Sequence, residues 1–293
     1  MAQPSNDQAA SLRQAQGLTR KQARRAIMCI AVASGKGGVG KTFIAANLAV
    51  AFARLGKRVL LVDADLGLAN ADIALGVSPE HTLQDAIFQG MPLADVVTQT
   101  PYGVDLLAAS SGAQEMVSLG KMRIQAVVED LFRFAAEYEV ILFDCAAGIS
   151  DSVTAFLGAA PVNLIIANPF AASIMDVYAL LKVVHQRGLT DVPGLIVNRS
   201  ESKGQGTYVH QALNKVASRY LTGRMELVGV VPESPAVRQA GVVRKPIFEV
   251  EEGGPVSGEL TRIGKTILQQ GTASMRVGEL DMSRVVEGLV DAP

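Results

Sequence analysis

Short apolar runs alternate with longer stretches in which apolar residues recur every three or four positions, and this rhythm continues along most of the chain. The short runs are typical of buried strands, and the longer stretches are typical of helices that connect one parallel strand to the next. The pattern predicts strands at residues 27–33, 58–62, 103–107, 139–143, 162–167, 194–197 and 227–231. It predicts helices at residues 41–55, 82–89, 114–136, 150–159, 173–187, 205–221, 234–241 and 256–270.

This alternation predicts an α/β fold with a single doubly wound, mostly parallel sheet and helices on both faces. The chain has 293 residues, of which 49% are hydrophobic, so it can bury one large core. Apolar periodicity is lost at both ends. We therefore expect a flexible basic arm over residues 1–25, one folded domain over 26–270 and a C-terminal tail over 271–293.

Residues 35–42 carry the clearest chemical signal, because they read Gly-Lys-Gly-Gly-Val-Gly-Lys-Thr between the first predicted strand and the first predicted helix. This is the phosphate-binding loop pattern, in which glycines leave room for backbone N–H groups to surround a phosphate. Lys41 would supply a positive charge for the β- and γ-phosphates, and the Thr42 hydroxyl would bind Mg²⁺. A plain glycine-rich turn is the alternative, and the flanking strand and helix argue against it. The residues predicted to contact the nucleotide here are Gly35, Lys36, Gly37, Gly38, Val39, Gly40, Lys41, Thr42 and Phe43.

Carboxylates follow two other predicted strands. Asp63 and Asp65 come after the apolar residues 60–62, and Asp144 comes after the apolar residues 140–143. Alternate residues of a strand project the same way, so Asp63 and Asp65 could share the tasks of holding hydrated Mg²⁺ and orienting the attacking water. Asp144 has the Walker B arrangement of a Mg²⁺ ligand. A solvated turn at a strand end is the alternative for the acidic pair.

Composition adds few further constraints. The 27 Lys and Arg residues nearly balance the 28 Asp and Glu residues, so we expect no direct contact with nucleic acid. The basic arm could touch an acidic partner or nucleic acid, although such arms are more commonly only solvated. Cys29 and Cys145 lie far apart in apolar runs, which predicts core thiols in a reducing cytosol. No apolar run approaches the roughly 20 residues that cross a bilayer, so we expect a cytoplasmic protein.

The second lysine of the loop, Lys36, extends its sequence to Lys-Gly-Gly-x-Gly-Lys-Thr, and with it the chain resembles the deviant-Walker P-loop ATPases of the MinD/ParA family. The resemblance implies ATP and Mg²⁺ as ligands and a homodimer that forms around ATP. It implies a catalytic role for Lys36 across that dimer, a water-orienting role for Asp65 and a place in the metal shell for Asp63.

An asparagine and an arginine, Asn198 and Arg199, follow the strand predicted at 194–197. A carboxamide can donate and accept at the edge of adenine, and a guanidinium can stack on the base. An Asn-Arg pair is weak evidence by itself. The family resemblance implies that Asn198 and Arg199 recognise adenine and that Pro232 and Glu233 complete the pocket. Residues 145–149 resemble the switch II segment of the family.

Three segments, residues 66–72, 108–119 and 173–180, resemble the FlhG/FleN group of flagellar-number regulators within that family. Residues 7–13, Asp-Gln-Ala-Ala-Ser-Leu-Arg, match the Asp-Gln-Ala-x-x-Leu-Arg activator motif of the group. The resemblance implies that Gln8 helps to position water in the flagellar GTPase FlhF, with Leu12 and Arg13 as docking contacts. An incidental match in a tail is the alternative.

The C-terminal tail places Met282, Val285, Val286, Leu289 and Val290 on one face of a predicted helix. Such a helix could bind weakly at the inner membrane or cell pole, and packing on the protein's own surface is the alternative. Its acidic residues argue against attraction to anionic lipid.

Together these features predict a slow, ATP-switched ATPase that regulates the number and placement of flagella and stimulates FlhF. A flagellar transcription activator and C-ring proteins are further candidate partners. A septum-site or partition ATPase is one alternative. A mainly non-catalytic, ATP-bound anti-activator is another, because Phe43 and Phe170 depart from the family pattern.

Overall fold

The structure is a computed structural model that describes residues 27–65, 67–110, 130–131, 133–187, 192–219 and 223–270. This part of the chain contains one sheet of eight strands. The strands are β1 (Met28–Ser34), β2 (Val59–Ala64), β3 (Thr98–Gln99), β4 (Val104–Leu107), β5 (Val140–Ala147), β6 (Val162–Ala167), β7 (Gly194–Ser200) and β8 (Glu226–Pro232). The helices are α1 (Lys41–Arg54), α2 (Ala71–Leu75), α3 (Leu83–Gln89), α4 (Leu93–Val96), α5 (Asp151–Ala159), α6 (Ala171–Gln186), α7 (Lys203–Ala217), α8 (Pro235–Val243), α9 (Ile247–Val250) and α10 (Pro255–Gln270).

The strand order is β3-β4-β2-β5-β1-β6-β7-β8, and every neighbouring pair is parallel except β3 with β4. The predicted α/β class with a mostly parallel sheet is therefore confirmed. The chain moves to one side of β1 to form β2 and to the other side to form β6, β7 and β8. In open sheets of this kind, ligands bind outside the carboxyl ends of the strands where the direction of winding changes.

Both faces of the sheet are covered, which explains why the strands read as continuous apolar runs. All seven residues of β1 are buried. Helices α1 and α10 pack on one face through Ile44, Phe52 and Ile263. Helices α5, α6 and α7 supply residues to the core on the other face, which also contains Cys29 and Cys145. Burial raises the pKa of each of these thiols to about 12, so both cysteines are unreactive core residues.

All seven predicted strands are present, and the differences lie in short elements and at element ends. The edge strand β3 and the helices α2, α4 and α9 were not predicted, because segments of two to five residues are too short to show a period. The strand predicted from Gly103 begins one residue later, since Gly103 has a φ of 73° in a turn. Most of the helix predicted at 114–136 lies outside the described residues. Within the described ranges, no helix is long and apolar enough to cross a membrane.

Two side chains of α10 bind the backbone of the edge strand β8. The Glu259 carboxylate accepts the N–H of Val230 at 2.9 Å, and the Arg262 guanidinium donates to the carbonyl of Val228 at 2.7 Å. Arg262 also donates to Glu259 at 2.7 Å, which holds the two side chains together. Two backbone groups of the edge strand, the Val230 N–H and the Val228 carbonyl, are thus already occupied.

Replacing Glu259 with alanine should lower the free energy of unfolding by about 1–3 kcal/mol, because the Val230 N–H loses its acceptor and Arg262 loses its partner. Urea denaturation measures this change. Glu252→Ala is the matched control, since the Glu252 side chain is 79% exposed and pairs with Arg54 at the surface. Equal stability of the two variants would contradict a structural role for the α10 contacts.

Candidate nucleotide-binding site

The phosphate-binding loop lies where the sequence predicts it, between the carboxyl end of β1 and the start of α1. Gly38 and Gly40 have φ values of 78° and 90°, which residues with a side chain rarely adopt. Helix α1 begins without a side-chain cap and has no acidic residue in its first turn. Its first N–H groups and the positive end of its dipole are therefore available to a phosphate.

The loop and the end of β1 are held by local contacts and by two other parts of the fold, the segment after β5 and α6. The Ser34 hydroxyl donates to the carbonyl of Lys36 at 2.9 Å, and the N–H of Gly148, after β5, donates to the carbonyl of Ser34 at 2.9 Å. Gly35 lies against the backbone of α6, where a Cβ atom would come within 2.3 Å of the carbonyl carbon of Asp176. Gly35 therefore allows α6 to pack closely on the loop.

A buried ion pair lies beneath the loop. Lys41 Nζ is 2.5 Å from Asp144 Oδ1, and the two residues are only 7% and 1% exposed. The other oxygen of Asp144, Oδ2, is buried and has no hydrogen-bond partner among the described residues. Burial raises the pKa of Asp144, while the Lys41 and Thr42 side chains act in the opposite direction.

These residues fit a magnesium–nucleotide complex. Mg²⁺ prefers oxygen ligands and usually bridges one or two protein oxygens to phosphate. The unpaired oxygen of Asp144 and the neighbouring hydroxyl of Thr42 are ligands of that kind. When bound, the ion would neutralise charge on the phosphates, and Lys41 would be free to contact them.

Asp63 lies beside Asp144 in the pairing of β2 with β5 and is 1% exposed. Its carboxylate accepts the backbone N–H groups of Asp65, Asn70 and Ala71 at 3.0, 2.9 and 3.0 Å. Burial and the charge of Asp144 raise the pKa of Asp63 to about 6, although these three N–H groups lower it. Asp63 thus orders the segment after β2, and its place in the metal shell stays a prediction.

Asp65 and Lys36 lie at the same edge of the sheet. Asp65 is half-buried, and its Oδ1 accepts the N–H of Leu68 at 3.1 Å. Lys36 Nζ is 3.9 Å from Asp176 Oδ2 in α6, and both side chains are more than one-third exposed. Sequence reasoning did not find Asp176 as the partner of Lys36. The predicted roles of Asp65 and Lys36 in hydrolysis remain predictions.

The four residues predicted to form the adenine pocket lie at the adjacent ends of β7 and β8. The Glu233 N–H donates to the carbonyl of Ser200 at 3.0 Å and joins the two ends. Asn198 is 4% exposed, and its Nδ2 donates to the carbonyl of Val39 in the phosphate-binding loop at 2.8 Å. Arg199 is exposed and has a φ of 55°. The structure thus brings these residues to the edge that carries the loop.

The structure also describes Phe43, Phe170 and Gly148, whereas the predictions for the two chain ends lie outside the described residues. Phe43 packs against the core, and its carbonyl accepts the Asn47 carboxamide at 2.8 Å. Phe170 is 61% exposed at the start of α6. Gly148, in the segment that resembles switch II, has a φ of 99°. The activator residues Gln8, Leu12 and Arg13 lie outside the described residues, as does the whole C-terminal tail.

Four exposed apolar side chains lie at the sheet edge that carries the site, and sequence reasoning did not identify them as a group. Leu68, Ile149, Phe170 and Met175 are 72%, 47%, 61% and 62% exposed. They follow β2, β5 and β6 and therefore lie at the carboxyl edge of the sheet, and we refer to them as the apolar rim. Apolar groups exposed together at one edge are typical of an interaction surface.

Comparison with known proteins identifies the family. The model of the CobQ/CobB/MinD/ParA nucleotide binding domain matches residues 30–247. The chain is 40% identical to antiactivator FleN of Pseudomonas aeruginosa over 224 residues, which are 76% of this chain and 80% of that protein. The chain belongs to the FlhG/FleN group of the MinD/ParA family. The family resemblance noted in the sequence is thereby confirmed.

Other members of the MinD/ParA family support this assignment. The flagellum site-determining protein YlxH of Helicobacter pylori is 31% identical over 74% of each chain. A chain of the MinC:MinD cell division protein complex of Aquifex aeolicus has a TM-score of 0.69 at 25% identity, and the match covers 83% of this chain and 96% of that one. MinD of Pyrococcus horikoshii, complexed with Mg-ADP, has a TM-score of 0.67 at 25% identity and covers 84% and 98%. MinD/ParA proteins are P-loop ATPases, which supports nucleotide and Mg²⁺ as ligands of this site.

Replacing Gly35 with alanine should lower the free energy of unfolding by about 1–3 kcal/mol, because the new methyl group would overlap the backbone of α6. Urea denaturation without nucleotide measures the change. Gly37→Ala is the matched control in the same loop, since a Cβ there meets no atom within 4 Å, and it should change stability by less than about 0.5 kcal/mol. Similar stabilities of both variants would show that α6 does not pack on Gly35 as described.

Proposed function

We propose that this protein is a slow ATPase that acts as an ATP-dependent switch in the control of flagellar number and placement. The observation that carries the proposal is the set of residues at one sheet edge. Lys36, Lys41, Asp63, Asp65 and Asp144 meet there, in a chain 40% identical to antiactivator FleN. The protein would work in the cytoplasm and at the cell pole.

The chemistry follows from the charges already present. Mg²⁺ would bind Thr42 and Asp144, with Asp63 in the surrounding shell, and would compensate the negative charge that Lys41 now neutralises. Lys41 would then contact the β- and γ-phosphates. Asp65, half-buried beside the site, would orient the attacking water. Hydrolysis would be slow because the catalytic arrangement would be complete only in a dimer, and the dimer would form only with ATP.

The apolar rim and Lys36 support a dimer that forms face to face around the nucleotide. Burying the rim against a second copy would remove exposed apolar area from water. The contact between Lys36 and Asp176 is long and partly exposed, so it costs little to break. Lys36 would then reach the nucleotide of the partner copy.

Three substitutions separate binding, association and hydrolysis. Lys41→Ala should abolish Mg-ATP binding in calorimetry, because the phosphates lose their positive charge. Asp65→Ala should retain Mg-ATP binding and stabilise the dimer. Its rate of ATP hydrolysis should be about 10²–10⁴-fold lower than that of the wild type. Lys36→Ala should retain binding but weaken association, which light scattering detects.

Circular dichroism must show a folded Lys41→Ala protein, since this change leaves Asp144 buried without a counter-charge. Hydrolysis by Asp65→Ala at the wild-type rate would remove the catalytic assignment.

Stimulation of the flagellar GTPase FlhF is the second part of the proposal, and it rests on the sequence of residues 7–13. A short polar segment can fold on a partner surface, and a glutamine carboxamide can orient the water that attacks GTP. Leu12 and Arg13 would dock the segment, and Gln8 would enter the GTPase site. The relative YlxH, which is named a flagellum site-determining protein, supports a flagellar partner.

Adding the wild-type protein to purified FlhF should increase GTP hydrolysis, and Gln8→Ala should remove the increase while leaving the protein's own ATPase unchanged. Gln16→Ala, in the same arm but outside the motif, is the matched control and should stimulate like the wild type. If the wild type does not stimulate FlhF, the activator role is wrong and the ATPase proposal still stands.

A second candidate function is inhibition of a flagellar transcription activator by the ATP-bound form. It is favoured by the similarity to FleN, which is named an antiactivator. The exposed Phe170 supports a binding role for the same edge of the sheet. C-ring proteins and the inner membrane surface are further contacts that the FlhG/FleN resemblance suggests.

A further inference from the structure

The carboxamide of Asn198 reaches the phosphate-binding loop from β7, two strands away from β1 at the same edge of the sheet. Its Nδ2 donates to the carbonyl of Val39 at 2.8 Å, and the side chain is 4% exposed. A Cβ on Gly40 would lie 2.3 Å from the same nitrogen. Asn198 therefore occupies the space that Gly40 leaves open. Its carboxamide lies against both Val39 and Gly40, the two residues that one peptide group joins.

The local backbone of β7 is irregular where it presents this side chain. The pairing of β7 with β8 changes register between Val197 and Ser200, and Arg199 has a φ of 55°. A β-bulge beside an active site commonly redirects one side chain, and a positive φ is unfavourable for a residue other than glycine. The fold thus maintains an unfavourable conformation next to the residue that contacts the loop.

The contact matters because a trans peptide group is planar, and its carbonyl and N–H point in opposite directions. When Asn198 holds the Val39 carbonyl, the N–H of Gly40 must point away from Asn198. Gly40 has a φ of 90° and no side chain, so this peptide could otherwise rotate readily. A rotated peptide would present an oxygen where a phosphate needs a donor.

We propose that Asn198 is a positioning residue for the phosphate chain, acting through the peptide between Val39 and Gly40. This task is additional to any contact with adenine, because one N–H of Nδ2 binds Val39, whereas a base would use the second N–H and Oδ1. The inference rests on the proposed function of the site as an ATP-binding site.

A ligand without a base separates the two tasks. Binding of magnesium inorganic triphosphate and of Mg-ATP is measured by calorimetry for the wild type, Asn198→Ala and Asn198→Leu. The leucine variant has nearly the shape of asparagine and adds no charge. Loss of one hydrogen bond that orients a donor should weaken the binding of both ligands by about three- to tenfold in both variants.

Asn163→Ala is the matched control. The Asn163 carboxamide also donates to backbone carbonyls, those of Leu157 and Ala160 at 2.8 and 3.3 Å, but at the opposite end of the sheet. This variant loses similar hydrogen bonds and should bind inorganic triphosphate like the wild type. The comparison separates orientation of the loop from a general loss of stability.

The results distinguish failure of this inference from failure of the proposed function. Wild-type affinity for inorganic triphosphate in both Asn198 variants, with weaker ATP binding, would assign Asn198 to the base and overturn the proposal. A wild type that binds ATP but not inorganic triphosphate would overturn it as well. A folded wild type that binds neither ligand would overturn the proposed function itself.

Discussion

The structure of the site depends on the buried contact between Lys41 and Asp144. Taking both charges out of water is costly, and removing one partner of such a pair typically costs about 3–5 kcal/mol. Asp63 adds a second buried carboxylate on the neighbouring strand. Burial, together with the charge of Asp144, raises the pKa of Asp63 to about 6. Without nucleotide, Lys41 neutralises Asp144. Asp144 and Thr42 would hold a magnesium ion bound with phosphate, and its charge would then compensate that of Asp144 in place of Lys41.

The sheet order explains why this pair forms beside a phosphate-binding loop. β1 delivers the loop, and its neighbour β5 delivers Asp144 at the same carboxyl edge. Contacts from Gly148, α6 and Asn198 then hold the loop and the end of β1. Glycines give the loop its shape and also make it easily deformed, because they lack the steric restrictions of other residues. The surrounding contacts restore the rigidity that ordered backbone donors require.

The sequence predicted the parts of this arrangement that are local. Apolar periodicity located every strand of the parallel sheet, and the spacing of glycines, Lys41 and Thr42 located the loop, because both signals arise within a few residues. Contacts between distant segments were not predictable. Lys36 meets Asp176, and Asn198 meets a carbonyl 159 positions away, through packing that no local pattern encodes. Asp63 was predicted as a metal-shell residue, and nothing in the sequence indicated that three backbone N–H groups bind it.

The same topology determines where another copy of the chain could bind. The edge strand β8 has backbone groups occupied by Glu259 and Arg262, and the opposite edge strand β3 has only two residues. Extension of the sheet by edge pairing is therefore unfavourable at both sides. The apolar rim instead lies at the carboxyl edge, which also carries the loop, Asp65 and Lys36. A dimer that covered the rim would bury apolar area and enclose the phosphates in one step. In the proposed switch, the nucleotide would thus be part of the surface that joins two copies, and its hydrolysis would weaken the same contact.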